Sequence, residues 1–307
     1  MTFFLIAILF LFTLGYLAQT TGLCLVKGVN QALDKRPQFL IAILLSGVLG
    51  WVSLLVAEMM VIDVPFRVYA IQWTALLGGV LFGFGAAINL GCGVSTISKL
   101  SRGDTLMIAT VSGWLIGWIL LASVAEDLPP RLSSALPQWH LHALIVASII
   151  IGAGILLIKK WDTRLWISML TIGLMASLTF LYEPKWTPSG YLSDLSLSVW
   201  EETHERWPSM ERTLLLLALV GGMASAALIT RSFKLSIQHF YQYWRHLFAG
   251  ILMGIGASLA GGGNDSQLLL SLPAFSPSGF TAVLSMLFGI FIGLRLPPLL
   301  SRPTIVS

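Results

Sequence analysis

The sequence predicts an all-α polytopic membrane protein, with about nine transmembrane helices and short re-entrant half-helices between them. Three observations predict it. The mean hydropathy is +0.85 and only 10% of the 307 residues are charged, where a soluble domain carries about 25%. The apolar runs are long and continuous rather than alternating in pieces of about ten residues, which selects a helix bundle over a barrel. Two of them end in glycine-rich stretches, FGFGAAINLGCGVSTISKLSRGD at 82–104 and LMGIGASLAGGGNDSQLLLSLP at 252–273. Such breaks bring polar backbone to membrane depth, where it must line a cavity or be buried in protein.

Taken in order, the spans are expected at about 2–22, 39–61, 70–91, 106–125, 140–158, 165–183, 211–230, 247–262 and 279–297, each near the ~20 residues a membrane helix needs. The first has no basic region before it and no small-residue cleavage pattern, so it reads as a retained helix. The third and eighth end in the glycine-rich stretches. The segments that follow them, Val94–Leu100 and Ser266–Leu272, are too short to span and read as half-helices. His140 and His142 open the fifth span at an interface; His204, His239 and His246 fall in connectors. The longest connector, 183–212, carries Glu201, Glu202, Glu205 and Glu211.

Charge fixes an orientation. With connectors on alternating sides, one side holds 13 of the 18 basic residues, Lys27, Lys99, Arg102, Arg245 and Arg302 among them. The other holds Arg67, Arg131, Lys185, Arg206 and Arg212. The positive-inside rule then places the N-terminus outside and the C-terminus in the cytoplasm.

The two glycine-rich stretches align at one offset of 171 residues, Gly83, Gly85, Ala86 and Gly91 with Gly254, Gly256, Ala257 and Gly262. Thr21–Cys24 also matches Ser189–Leu192 at 168. Spans one to four therefore read as repeated in six to nine. The parts are 1–125, a connector with the fifth span at 126–164, and 165–307, within one membrane domain. A displacement of five spans inverts the copy, and inverted repeats with broken helices meeting near the midplane mark transporters. Chance likeness of Gly/Ala-rich helices is the alternative.

The candidate substrate path follows from the breaks: Cys24, Cys92, Gly22, Lys27, Asn89, Gly91, Gly93, Ser95, Gly262, Gly263, Asn264 and Asp265. Cys92 precedes the polar start of a half-helix, where unpaired N–H groups favour an anion and a thiol is a weak donor; a small packing residue is the other reading. Cys24 lies in TTGLCLVKG, where Gly22 and Gly28 break the helix and Lys27 adds a cation; an interfacial helix end with a snorkelling lysine is equally open. Asp265 reads first as a cap of its own half-helix and second as a functional ionisable group at membrane depth. Two cysteines without metal spacing exclude a zinc or disulfide scaffold. No phosphate-binding loop or HExxH site occurs. Neither an enzyme, a cofactor, a metal site nor nucleic-acid binding is expected.

The stretches TGLCLVKG at 21–28, GFGAAINLGCGVSTISKLSRGD at 83–104, GIGASLAGGGNDSQLLLSLPAFSPSG at 254–279 and WTPSG at 186–190 resemble the YeeE/YedE family of sulfur-compound transporters, in particular its thiosulfate-uptake (TsuA) type. The resemblance covers most of the chain. It implies an hourglass-shaped protein of the bacterial inner membrane, with thiosulfate passing cysteine thiols at a narrow centre; Cys24 and Cys92 occupy two such positions. The family often has a cysteine in the second glycine-rich loop, where this chain has Gly263. The partners then expected are a small sulfur-containing anion, the lipid bilayer and a small cytoplasmic sulfur-carrier protein.

Overall fold

The computed structural model describes residues 2–64, 66–123, 133–201 and 207–296. Arg131, Glu202, His204, Glu205, Arg206 and Arg302 lie outside the described residues. Among the described residues the chain is helical but for a two-residue ribbon, β1 (Val68–Tyr69) against β2 (Ser133–Ser134).

The helices come in a repeated order. A long α1 (Thr2–Thr21) is followed by a short α2 (Leu25–Leu33), then by α3 (Gln38–Leu44) and α4 (Trp51–Met60), joined through a 3₁₀ turn at Ser46–Gly50. Next come α5 (Trp73–Ile88), the short α6 (Gly93–Ser101) and α7 (Leu106–Ala122). After α8 (His140–Leu157) the pattern of long, half, long, long, half, long returns. Its members are α9 (Thr163–Tyr182), α10 (Pro188–Trp200), α11 (Met210–Ile229), α12 (Phe240–Ala260), α13 (Asn264–Ser266) with a π-helical turn at Gln267–Ser271, and α14 (Pro277–Arg295). Among the described residues seven helical runs are long and apolar enough to cross a membrane, and α12 bent by 42° onto α13 makes an eighth. The apolar α7, at 17 residues, stands at the fourth expected position, 106–125.

Polar residues start these helices in a way the sequence explains. Asp162 accepts from the Arg164 and Leu165 amides, and Ser209 from that of Arg212. Thr187-Pro188 and Ser276-Pro277 each place a hydroxyl at the cap and proline in the first turn, where its missing N–H costs nothing.

The two halves pack alike, residue by residue. Lipid supplies no hydrophobic force between helices, so close approach at small residues holds them together. A Cβ on Gly79 would lie 2.5 Å from the Ala282 carbonyl oxygen, and one on Gly250 would lie 2.1 Å from that of Thr110. Gly83 meets Met286 as Gly254 meets Trp114, and Gly289 meets Val80 as Gly117 meets Ile251. The paired positions differ by 171 or 172 throughout. At the junction of the halves Gly78 and Gly256 face each other, a Cβ on either lying 2.6 Å from the other's carbonyl oxygen.

Four expectations change. The 168-residue match does not hold: Gly22 is a left-handed link (φ +67) before α2, whereas Ser189–Leu192 lie inside α10. A Thr/Ser-Gly pair serves a link in one copy and a helix start in the other, so likeness of residues misled. Residues 183–212 are not one connector, since α10 occupies the middle and buries Leu192, Asp194, Ser196 and Ser198. Its charges are tied down: Arg212 donates to Asp194 at 2.8 Å and to the Lys185 carbonyl at 2.9 Å. His246 is not in a connector, because α12 starts at Phe240 and buries it. The second span is not one helix, for the backbone of Ser46 is packed under Gly173 and Gly47 abuts Pro273.

Candidate functional site

Four half-helices begin near the centre, and their N-cap residues are Cys24 (α2), Cys92 (α6), Thr187 (α10) and Gly263 (α13). Cys92 and Gly263, one repeat apart, have almost the same backbone: φ −80, ψ −178 against φ −70, ψ 179. Extended geometry at an N-cap turns the next amides inward along the helix axis, where they carry partial positive charge.

None of the central caps serves only its own helix. The Leu25 amide at the start of α2 donates to the Cys92 thiol sulfur (3.3 Å). The Gly93 amide at the start of α6 donates to Asn264 Oδ1 (3.0 Å). The Ser189 amide at the start of α10 donates to Asp265 Oδ2 (2.9 Å), and the Ser189 hydroxyl to Oδ1 (2.5 Å). Asp265 thus caps the neighbouring half-helix, not primarily its own as expected, although the Ser266 amide also reaches it (2.9 Å). The reason is register: Gly263 is the cap residue, so Asp265 sits inside the first turn and turns sideways.

Around Cys92 the surroundings are soft and weakly polar. The bond from the Leu25 amide to Cys92 brings Cys24, the preceding residue, to the Cys92 side of the centre, and both thiols are free and buried. Ser95 Oγ donates to the Cys92 carbonyl (3.0 Å) and stands 3.7 Å from its sulfur. Around Gly263 the surroundings are hard: Thr187, Ser189 and Ser266 hydroxyls meet at 3.0 to 3.4 Å beside the Asp265 carboxylate. Between the two lies a small cavity of about 20 Å³, lined by Cys92, Asn264 and Asp265 with Leu23, Leu25, Ile43, Ser46, Val94, Ile172, Leu268 and Leu269. That is room for one water.

The expected path residues therefore divide. Cys24, Cys92, Gly93, Ser95, Gly263, Asn264 and Asp265 come together. Gly91 and Gly262 are the links into α6 and α13; Gly262 has φ +148, which a side chain resists. Asn89 is fully buried but faces away, bonded to Gly91, Thr96, Thr110 and His246. It braces the α5–α6 break. Lys27 is exposed on α2, with its ammonium 4.6 Å from the centre of the Phe39 ring and close to Gly22. Reading the sequence missed Thr187, Ser189 and Lys99. The signal for Lys99 was spacing, since it falls four residues after Ser95 and seven after Cys92, on one helical face.

Residues 131–292 match a family model described as sulphur transport. The chain belongs to that family. No curated protein matches it. The sulphur transport match takes in α8 to α13 and most of α14, hence Thr187, Ser189, Gly263, Asn264 and Asp265. Both cysteines precede it. As a family member with this many membrane-length apolar helices, the protein is a multi-pass transporter of sulfur compounds.

Proposed function

We propose that the protein imports a small sulfur-containing anion, thiosulfate first, across the bacterial inner membrane through the centre where the four half-helices begin. The observation that carries this reading is the pairing of two buried thiols with the starts of α2 and α6. A thiol is a weak donor of low hydration cost, suited to a soft sulfur-bearing anion, while the half-helix dipoles of about half an elementary charge each offset its charge. Cys92 is the central donor, Cys24 the second. Asn264 locks the start of α6 from the opposite repeat, and Asp265 locks the start of α10 within its own. Because the central cavity holds only one water, passage requires the half-helices to part, which the shared caps allow as a unit.

The two sets, α1–α7 and α9–α14, act as inverted copies, 1–125 and 165–307, with α8 as the connector between them. The chain is oriented with the N-terminus outside, and a small cytoplasmic sulfur-carrier protein receives the product on the inner side. Growth of a sulfur-uptake-deficient bacterium on thiosulfate as sole sulfur source tests the reading. Expression of the chain restores growth, and excess thiosulfate outcompetes sulfate or selenite for uptake. Rescue by another anion with none by thiosulfate assigns the same site to that anion.

A further inference from the structure

Beyond the thiols, the break between α5 and α6 carries charge that no part of the centre uses. Lys99 Nζ donates to the Leu90 carbonyl (2.8 Å) and lies beside Gly91, where a Cβ would be 3.2 Å from Nζ and 2.7 Å from Ser95 Oγ. It is within electrostatic reach of Cys24 and Cys92. From α12, Arg245 Nη2 donates to the Ile88 carbonyl (3.2 Å), while its Nε is buried with no partner among the described residues. Both cations act on His246, which follows Arg245 on α12 and is bonded to Asn89.

No carboxylate makes an ion pair with Lys99 or Arg245 among the described residues. Asp104 acts on Lys99 without pairing with it. Cations at the end of a helix cap its last carbonyls, and that accounts for one hydrogen bond each. It leaves two cations on carbonyls only two residues apart and one buried guanidinium N–H unmet, an expensive arrangement without an anion. The other repeat has no counterpart: Leu270 and Thr74 stand at the positions 171 residues away.

We infer that Lys99 and Arg245 form an anion subsite next to the thiols, on the α5–α6 side only, which holds the charged end of the sulfur anion as it enters or leaves Cys92. This rests on the proposed transport of such an anion. The subsite makes the path electrostatically one-sided, with the cations on the side that the basic connectors mark as cytoplasmic.

The test is the initial rate of labelled thiosulfate uptake into proteoliposomes, over a range of concentrations and at low and high salt. Lys99→Met raises KM by about tenfold with a smaller change in maximal rate, and Lys99→Arg restores KM to within about threefold. The salt dependence of KM flattens in Lys99→Met. A KM for Lys99→Met equal to wild type overturns the subsite while leaving transport standing, as does an equal loss in Lys99→Arg. Arg245→Gln carries the same KM comparison if Lys99→Met is not recovered as monodisperse protein. A wild-type chain that moves neither thiosulfate nor any competing sulfur anion overturns the transport reading, and the subsite with it.

Discussion

The starts of α6 and α13 share one backbone and carry opposite chemistry. Cys92 and Gly263 have nearly equal dihedral angles, and each precedes a half-helix that bends off a glycine-packed long helix. Around the first stand two thiols and a lysine; around the second stand three hydroxyls and a carboxylate. The backbone repeat therefore supplies the inward-facing amides, and the side chains decide what those amides meet. In the second copy the carboxylate is spent on Ser189 and Ser266, so that copy locks. The first copy, with a thiol as acceptor for the Leu25 amide, is the weaker lock, and the proposed path puts the anion there.

Substitutions that make the copies more alike or more different test this contrast. The largest effect is expected for Cys92→Ala, which removes the donor and leaves the Leu25 amide without its sulfur. Thiosulfate uptake falls by roughly a hundredfold, the worth of a hydrogen bond to a charged group, while the protein elutes as a folded monodisperse species. Next is Gly263→Cys, which would give the second copy its thiol. A Cβ there lies 2.8 Å from both Asp265 Oδ1 and Ser189 Cβ, so the variant loses about 1–3 kcal/mol of stability. Thermal unfolding in detergent followed by tryptophan fluorescence reads this as a lowered midpoint, and uptake does not rise.

Smaller is Asp265→Asn, which turns one carboxylate oxygen into a donor facing Ser189. A loss of about 1–2 kcal/mol is expected by the same unfolding measurement, larger than for Asn264→Asp at the neighbouring cap. The smallest effect is for Cys24→Ser, which brings the first copy toward Thr187 of the second. Uptake drops about threefold, since a serine hydroxyl suits the N-cap of α2 but binds water more tightly than a thiol does.

Much of this was legible because glycine is loud in a membrane sequence. The breaks after α5 and α12 showed in GFGAAINLGCG and GIGASLAGGGN, and the 171-residue offset turned out to be the spacing of the glycine contacts themselves. The helix α10 was not legible. It is short, serine-rich and carries Asp194, so composition marks it as solvated, and only burial against Arg212 and against α7 of the first half makes it a helix of the centre. The break at Ser46–Gly50 is equally silent in an apolar run, being set by Gly173 and Pro273 from distant segments. Asp265 showed as a cap but not whose cap it is, because the acceptor's partner lies 76 residues away at Ser189. Lys99 looked like a topology charge; only the fold turns it back onto Leu90 beside the thiols.

The central claim is that sulfur at position 92 serves a sulfur-bearing anion. Labelled thiosulfate uptake into proteoliposomes by wild type and Cys92→Ser tests it most directly. Serine keeps a polar cap and the backbone of α6, and changes only the sulfur. Uptake by Cys92→Ser falls nearly as far as by Cys92→Ala. Uptake at the wild-type rate would contradict it, leaving the half-helix amides alone to carry the anion.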